Sequence, residues 1–380
     1  MKPAGYRIAV VLPAHLSELT GGAETQAHMI AQALVARGNE VHYLARRILH
    51  GSQGTSYTTH KVGTLNRITK HNLFFDTPGL TRKLAELSPD LVYQRVAGPY
   101  SAIAARYCAV SQTPVVWHIA LDSDVSKTQW KRLWWRPWKA VDRLALAWAR
   151  PRMTHIVAQT SWQAQQFDPS SSGRQIVVIP NFRPDSVGEL PDFEHRDTVL
   201  WLANLKPAKR PELFVELARH LARLDRIKFV IGGRLQGSPY WNSRMESLFA
   251  KQPNIQYLGL VSADGVGELL DRSIALVNTS AVEGFPNTFL EAWERSVPVV
   301  SLDVDPDDII TRHGLGRRAG SVDSLGQAIL HLVDHPEEAA RAGQRARAYF
   351  LKNHSLRNVD RLCEHLESWA SVGRNHTRCG

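Results

Sequence analysis

The sequence predicts an α/β protein made of two doubly wound, Rossmann-like halves. Short apolar runs alternate with stretches of helical period, the pattern of βαβ units and parallel sheets. That alternation stops once, over residues 181–197 (NFRPDSVGELPDFEHRD), a polar stretch holding Pro184 and Pro191, and then resumes. The length of 380 residues allows two domains at ~150 residues each.

In chain order, residues 6–13 (YRIAVVLP) read as a strand buried on both faces. A loop with Gly21-Gly22 follows. Ala23, Ala27, Ile30 and Leu34 then recur at helical spacing, and Gly38 stands where that helix would stop. Further strands are expected at residues 41–44, 90–93, 114–117, 154–158 and 175–179. Beyond the linker they are expected at 198–202, 228–231, 255–258, 275–277 and 298–301. A last helix would carry Leu356, Val359, Leu362, Leu366 and Trp369 on one face, with Ser355 as its N-cap. The expected domains are residues 1–185 and 186–380, with the terminal helices of the second placed to pack back on the first. Ligands of such sheets bind at the carboxyl ends of the strands. Two halves facing each other would put the site in a central cleft.

Composition narrows the class. Hydrophobic residues make up 43% and charged residues 22%, ordinary values that exclude global disorder. Cys108, Cys363 and Cys379 are too scattered for a disulfide scaffold or a metal site, which suggests a reducing, cytoplasmic setting. No apolar run approaches the ~18 residues that span a bilayer. The run from Ile8 to Leu12, ended by Pro13, is too short for a signal peptide. The net charge of +10 favours an anionic partner.

Residues 127–141 (KTQWKRLWWRPWKAV) combine Trp130, Trp134, Trp135 and Trp138 with Lys127, Lys131, Arg132, Arg136 and Lys139. Trp130, Trp134 and Trp138 share one helical face, with Pro137 as a kink point. Aromatics beside cations suit a helix lying on the inner face of an anionic membrane, where each cation near the surface adds ~1 kcal/mol. The competing reading is that the tryptophans pack inward while the cations coat the exterior. No nucleic-acid-binding motif accompanies the segment, so no nucleic-acid partner is expected. Gly232-Gly233 lacks the GxGxxG spacing, which disfavours a nicotinamide enzyme.

The chemistry concentrates in residues 278–300 (NTSAVEGFPNTFLEAWERSVPVV). Gly284 and Pro286 break the chain before a helical run with Phe289, Leu290 and Trp293. Glu283 would then lie in a loop at a helix N-terminus, with Glu291 about one turn inside. First-turn amides near Asn287 and Thr288 form a ready phosphate site. Carboxylates beside it can accept hydrogen bonds from sugar or ribose hydroxyls. Taken alone, the two glutamates read first as a helix cap and a solvated face, because charged residues are mostly exposed.

EGFPNTFLEAWERSVPVV resembles the nucleotide-sugar site of retaining GT-B glycosyltransferases, the group 1 and family 4 type that includes sucrose synthases and mannosyltransferases. Its hallmark is Glu, seven residues, Glu. GGAETQAHMIAQALVARGNEV, PDLVYQR, VVWHIA, IVVIPNF and NLKPAKRPELFVELA resemble other segments of that family in the same order, so the likeness covers almost the whole chain. It implies a GT-B fold, with an acceptor-binding first domain and a nucleotide-sugar-binding second. Glu283 would hold the donor sugar's hydroxyls, Glu291 the ribose, and Lys209 the diphosphate. Gly284, Phe285, Pro286, Asn287 and Thr288 would bring backbone close to sugar and phosphate. Gly21 and Gly22 would let the first loop approach the substrates. His118, at a strand end, would sit near the reacting carbon, and Gly259, Leu260 and Val261 would contact the base.

Asn204 stands where the family usually has an Arg beside the diphosphate, and Lys206 or Arg210 are candidate substitutes. Ser296 and Pro286 replace common glycines. Asp122-Ser-Asp124 and Asp305-Pro-Asp307 imitate a metal motif of another glycosyltransferase fold and are read as chance. No metal and no cofactor are expected, because this type uses cations and helix dipoles instead. The expected activity is retaining transfer of a sugar from a nucleoside-diphosphate sugar to an acceptor hydroxyl on a glycan or lipid-linked saccharide. The alternatives are a non-catalytic nucleotide-sugar-binding scaffold, motivated by Asn204, and a sugar-nucleotide epimerase.

Overall fold

The computed structural model describes residues 5–18, 21–49, 55–63, 73–126, 137–167, 174–188 and 190–377. They form two compact units. The first runs to Phe182 and takes up the chain again from Arg357, and the second spans Arg183–Leu356.

The first unit runs β1 (Arg7–Val11), α1 (Gly22–Ala36), β2 (Glu40–Ala45), β3 (Thr58–Lys61), α2 (Thr77–Leu87), β4 (Leu91–Arg95), α3 (Pro99–Ser111), β5 (Val115–His118), α4 (Pro137–Ala149), β6 (His155–Ala158), α5 (Ser161–Gln165) and β7 (Gln175–Val178). Its strands make one seven-stranded sheet in the order β3-β2-β1-β4-β5-β6-β7, parallel throughout. The second unit runs β8 (Thr198–Leu202), α6 (Pro211–His220), β9 (Lys228–Gly232), α7 (Pro239–Ala250), β10 (Ile255–Tyr257), α8 (Ala263–Asp271), β11 (Ser273–Asn278), α9 (Asn287–Glu294), β12 (Val299–Ser301), α10 (Ile309–His313), β13 (Gly316–Arg318), α11 (Val322–Asp334) and α12 (Pro336–Asn353). Its six strands are ordered β10-β9-β8-β11-β12-β13. Each sheet reverses its order once, between β1 and β4 in the first and between β8 and β11 in the second.

The central strands are apolar on both faces because helices cover both. Ile8 and Val10 enter one core of the first unit, while Ala9 and Val11 enter the other. In the second unit, Val199 and Trp201 face one core and Leu200 the other. The edge strands β3 (TTHK) and β13 (GRR) escaped the sequence reading. An edge keeps one side in water, so it needs no apolar run and gains from polar residues.

The last helix, α13 (Arg357–Thr377), belongs with the first unit. Val359, Leu362, Leu366 and Trp369 bury against α1 and the sheet as the spacing predicts, joined by Cys363 and Ala370. Leu356 departs from that expectation. The helix begins one residue later, so Leu356 lies outside it and stays 46% exposed, and Ser355 does not occupy the N-cap position. Polar bonds also fix α13. Glu367 accepts from Arg37 at 2.9 Å and from Asn39 at 2.7 Å. Arg374 pairs with Asp90 at 2.9 Å, and the Trp369 indole donates to Gln175 at 2.6 Å. Among the described residues, no helix is long and apolar enough to cross a membrane.

Leu366 is fully buried between α13 and the first core. Leu366→Ala should therefore cost roughly 2–5 kcal/mol. Hydrogen exchange in α1 and β1 should accelerate accordingly, and an unchanged rate would contradict the placement of α13.

Candidate functional site

In the second unit the strand order reverses between β8 and β11, and the loops leaving their carboxyl ends are tied together. The Trp201 indole donates to the Thr279 hydroxyl at 2.9 Å, and that hydroxyl lies 2.7 Å from the Lys209 carbonyl and 2.9 Å from that of Arg210. The Ala281 amide donates to the Ala208 carbonyl at 3.1 Å. Arg210 takes a left-handed backbone, φ 51°. Its guanidinium donates to the Thr279 carbonyl at 2.6 Å and the Ser280 carbonyl at 3.1 Å, and pairs with Asp303. Arg210 is thus a structural brace through Nε and Nη2.

These ties hold the short turn Pro207–Lys209 beside the loop that carries Glu283. Lys209 Nζ donates to Glu283 Oε1, and Glu283 is only 8% exposed. The pairing lets a carboxylate and an ammonium leave bulk water together. Gly284 and Pro286 are buried, and Pro286 caps α9, whose first residues Asn287 and Thr288 are half-buried. First-turn amides have no acceptor within their helix. The Phe285 ring packs into the core, 6.1 Å from Trp293 and 4.6 Å from His354 between ring centres. Its side chain therefore has a packing role, and only its backbone can serve a ligand in the expected way.

Glu291 lies in the second turn of α9 and accepts from Arg183 at 3.1 Å. Glu294, wholly buried, accepts from Arg183 Nε and, at 2.8 Å, from both the amide and hydroxyl of Ser186. Burial raises the Glu291 carboxyl above its ordinary value; Arg183 opposes the rise and Glu294 adds to it. Arg183 shows in no local motif, because its partners lie more than a hundred residues away.

On the other side of β8, the Gln236 amide donates to Asn204 Oδ1 at 3.1 Å. Gly233, at φ 136°, approaches Ala203 so closely that a Cβ would sit 1.8 Å from its carbonyl oxygen. Glycine is required there. Val261 packs over Gly232, where a Cβ would come within 3.2 Å of its methyl. Leu260 is 61% exposed beside it, and Gly259 turns the chain at φ 67°.

The first unit holds the remaining candidates. His118 ends β5 and is buried, with Nδ1 2.7 Å from the Tyr93 hydroxyl and 3.3 Å from Arg95 Nη1. Burial first, and the Arg95 charge second, hold its pKa well below the ordinary value, so the imidazole is neutral. Gly21 caps α1 with an ordinary extended φ of −123°. A Cβ there would meet only the flexible end of Glu24, so no backbone strain demands glycine at Gly21. Gly22 opens the helix.

Asp305 caps α10 by accepting from the Ile310 amide at 2.8 Å and the Thr311 hydroxyl at 2.8 Å. Asp124 accepts from the Leu121 amide at 3.1 Å, and burial pushes its pKa up to about 7. Both motif-like acids thus have local structural roles. Trp130, Lys131, Arg132, Trp134 and Trp135 lie outside the described residues, as does the side chain of Trp138.

Two family models match the chain. The glycosyl transferases group 1 model covers residues 196–335, and the glycosyltransferase family 4 model covers residues 20–186. A curated relative, glycosyltransferase 1 domain-containing protein 1 of Xenopus tropicalis, is 26% identical over 118 residues, which is 31% of this chain and 34% of that protein. The match thus spans about a third of the relative's length. Among solved structures, Anabaena HepE in complex with UDP and glucose superposes with a TM-score of 0.74 at 15% identity, covering 96% of this chain and 100% of that one. Sucrose-phosphate synthase of Thermosynechococcus elongatus gives 0.74 at 13% identity, covering 98% and 99%. At such identities the likeness establishes the fold: two Rossmann-like domains of the GT-B kind.

The neutral, buried His118 fixes a pH response. Its folded pKa lies below the unfolded one, so below about pH 6.5 the unfolded chain binds a proton that the folded chain does not. Stability should fall as the pH drops from there, by up to ~1.4 kcal/mol per pH unit for this group. Denaturant unfolding of wild type and His118→Gln across that range checks it: the variant should show the smaller loss, and equal slopes would refute the burial of a neutral imidazole.

Proposed function

The chain belongs to the group 1 and family 4 glycosyltransferases, and from that premise we propose that it is a retaining enzyme moving a sugar from a nucleoside-diphosphate sugar to an acceptor hydroxyl. The observation that carries the proposal is the Lys209–Glu283 pair beside the start of α9, where the strands of the second unit reverse order. Open sheets of this kind take their ligands at that point. The UDP and glucose held by Anabaena HepE make a UDP-sugar the first donor to test.

In the proposed reaction the diphosphate takes Glu283's place as the partner of Lys209. Glu283 is thereby released to accept hydrogen bonds from the sugar's hydroxyls. Glu291 accepts from the ribose, while Arg183 holds its carboxylate in place. Gly259, Leu260 and Val261 flank the base. As the bond between the anomeric carbon and the diphosphate oxygen breaks, negative charge grows on the phosphate. Lys209 and the first-turn amides of α9 stabilise that charge in place of a metal ion. The acceptor oxygen bonds to the same face of the carbon, and its proton passes to the departing phosphate, so configuration is retained. His118 offers an uncharged hydrogen-bonding group to a carbohydrate hydroxyl.

The acceptor proposed is a glycan or lipid-linked saccharide, met at the cytoplasmic surface of a membrane. The support is the basic, tryptophan-rich segment together with α4, which follows it. On α4, Leu144 and Trp148 are 63% and 42% exposed one turn apart, and the Arg152 guanidinium lies 3.9 Å from the Trp148 ring centre.

Two experiments test these readings. In a transfer assay run in EDTA, Glu283→Ala and Lys209→Ala should each lower turnover on the order of 10²-fold or more. The wild type should remain active there, and its donor should raise its melting point. Wild-type turnover in either variant would overturn the assignment. In a flotation assay with anionic vesicles, replacing Trp130, Trp134 and Trp135 by Ser should release the protein, whereas unchanged flotation would leave packing as their role.

A further inference from the structure

We propose that Arg95 is a positioning residue that fixes His118 in a single tautomer, with the proton on Nε2 and Nδ1 as the acceptor. The proposal deepens the reading given above for His118 and rests on it for its bearing on catalysis.

The sheet brings the pair together. Arg95 ends β4, His118 ends β5, and the two are direct partners in the parallel register. Their side chains therefore leave the same face of the sheet at its carboxyl edge. Tyr93, two residues before Arg95, shares that face, and its ring stands edge-on to the imidazole with centres 5.9 Å apart.

Three hydrogen-bonding groups then decide where the proton sits. The Tyr93 hydroxyl lies 2.7 Å from His118 Nδ1. A hydroxyl can donate or accept, so Tyr93 alone is compatible with either tautomer. Arg95 Nη1 lies 3.3 Å from the same nitrogen. A guanidinium has five N–H donors and no acceptor. A proton on Nδ1 would lie close to an Arg95 N–H that cannot accept it, so Arg95 favours the tautomer in which Nδ1 is the acceptor. The Tyr93 hydroxyl and Arg95 then share the single lone pair of that nitrogen as donors, and Nε2 carries the ring proton.

The guanidinium is itself oriented, because its Nη2 donates to Asn181 Oδ1 at 2.9 Å. What remains is unsatisfied in one sense only. His118 Nε2 and Arg95 Nε are both buried with no hydrogen-bond partner among the described residues. A buried N–H without an acceptor costs about 1–3 kcal/mol, and such groups in native proteins need an explanation. If His118 serves a carbohydrate hydroxyl as proposed above, Nε2 is the donor left to do so, once side-chain movement uncovers it.

The test reads the tautomer directly, on the free protein and without substrate. Long-range proton–nitrogen NMR on histidine-labelled protein should show His118 protonated on Nε2 and bare on Nδ1. A proton on Nδ1 in the wild type would overturn the proposal. In Arg95→Met the Nδ1-protonated form should appear, since that form lets His118 donate to Tyr93. Persistence of the pure Nε2 form there would show that Tyr93 suffices and that Arg95 has no such role. Arg95→Lys, which keeps a donor without an acceptor, should restore the wild-type tautomer. Should Arg95→Met not fold, Tyr93→Phe decides: with Arg95 the only donor left at Nδ1, the Nε2-protonated form should persist, and a proton on Nδ1 there would show that Arg95 has no such role. In the transfer assay Arg95→Met should lower kcat by roughly tenfold to a hundredfold, the scale set by loss of the groups that orient metal-bound histidines, with a smaller change in the donor KM. The predicted tautomers in a protein without transferase activity would sink the functional reading and leave the positioning intact.

Discussion

Neither Lys209 nor Glu283 could occupy its place in the second unit without the other. A carboxylate with 8% exposure needs a cation or several donors, and removing one partner of a fully buried pair costs roughly 3–5 kcal/mol. Lys209 keeps a quarter of its side-chain exposure, which softens that figure without changing its sign. The same requirement shapes the proposed binding event. A diphosphate substitutes for the carboxylate at Lys209, and sugar hydroxyls substitute for the ammonium at Glu283. Each group exchanges one polar partner for another, so the resting pair keeps both side chains ordered for the ligand.

The pair depends in turn on a brace that does no chemistry. Thr279 and Arg210, with the Ala281 amide, tie the turn carrying Lys209 to the loop after β11. Arg210 adopts a left-handed conformation just before Pro211 at the start of α6. A non-glycine residue there is strained by about 1–2 kcal/mol. Its guanidinium bonds to two carbonyls and to Asp303 offset that strain, because they require the side chain to leave the backbone in this direction. With Nε and Nη2 so engaged, Arg210 holds the two loops together, and Lys209, paired with Glu283, is the positive group assigned to the proposed diphosphate.

The halves of the fold and the main site motif were legible in the sequence because both are written locally. β1, β8 and β11 announce themselves as apolar runs, and Glu283, Gly284, Pro286 and Glu291 lie within nine consecutive residues. What was hidden is what depends on distant partners. β3 and β13 are polar edges with no run to detect. The place of the Phe285 ring in the core, against Trp293 and His354, shows in no local pattern. The Tyr93–Arg95–His118 cluster spans two strands whose register no single-sequence pattern reveals, and Arg183 reaches Glu291 and Glu294 across more than a hundred residues.

Arg183 also separates the duties of those two glutamates. They lie three residues apart on α9, so they face the same way and repel each other. Glu294 is the deeper, and it takes the Arg183 Nε together with two donors from Ser186. Three donors satisfy its charge, and its complete burial keeps any ligand from it. Glu291 receives one longer bond, at 3.1 Å, and keeps 22% of its side-chain exposure. A carboxylate has room for about four hydrogen bonds, so Glu291 retains most of its accepting capacity. The arginine thus holds the buried acid firmly and the outer one lightly. Of the two acids on that face, only Glu291 can turn to a ribose without breaking the core.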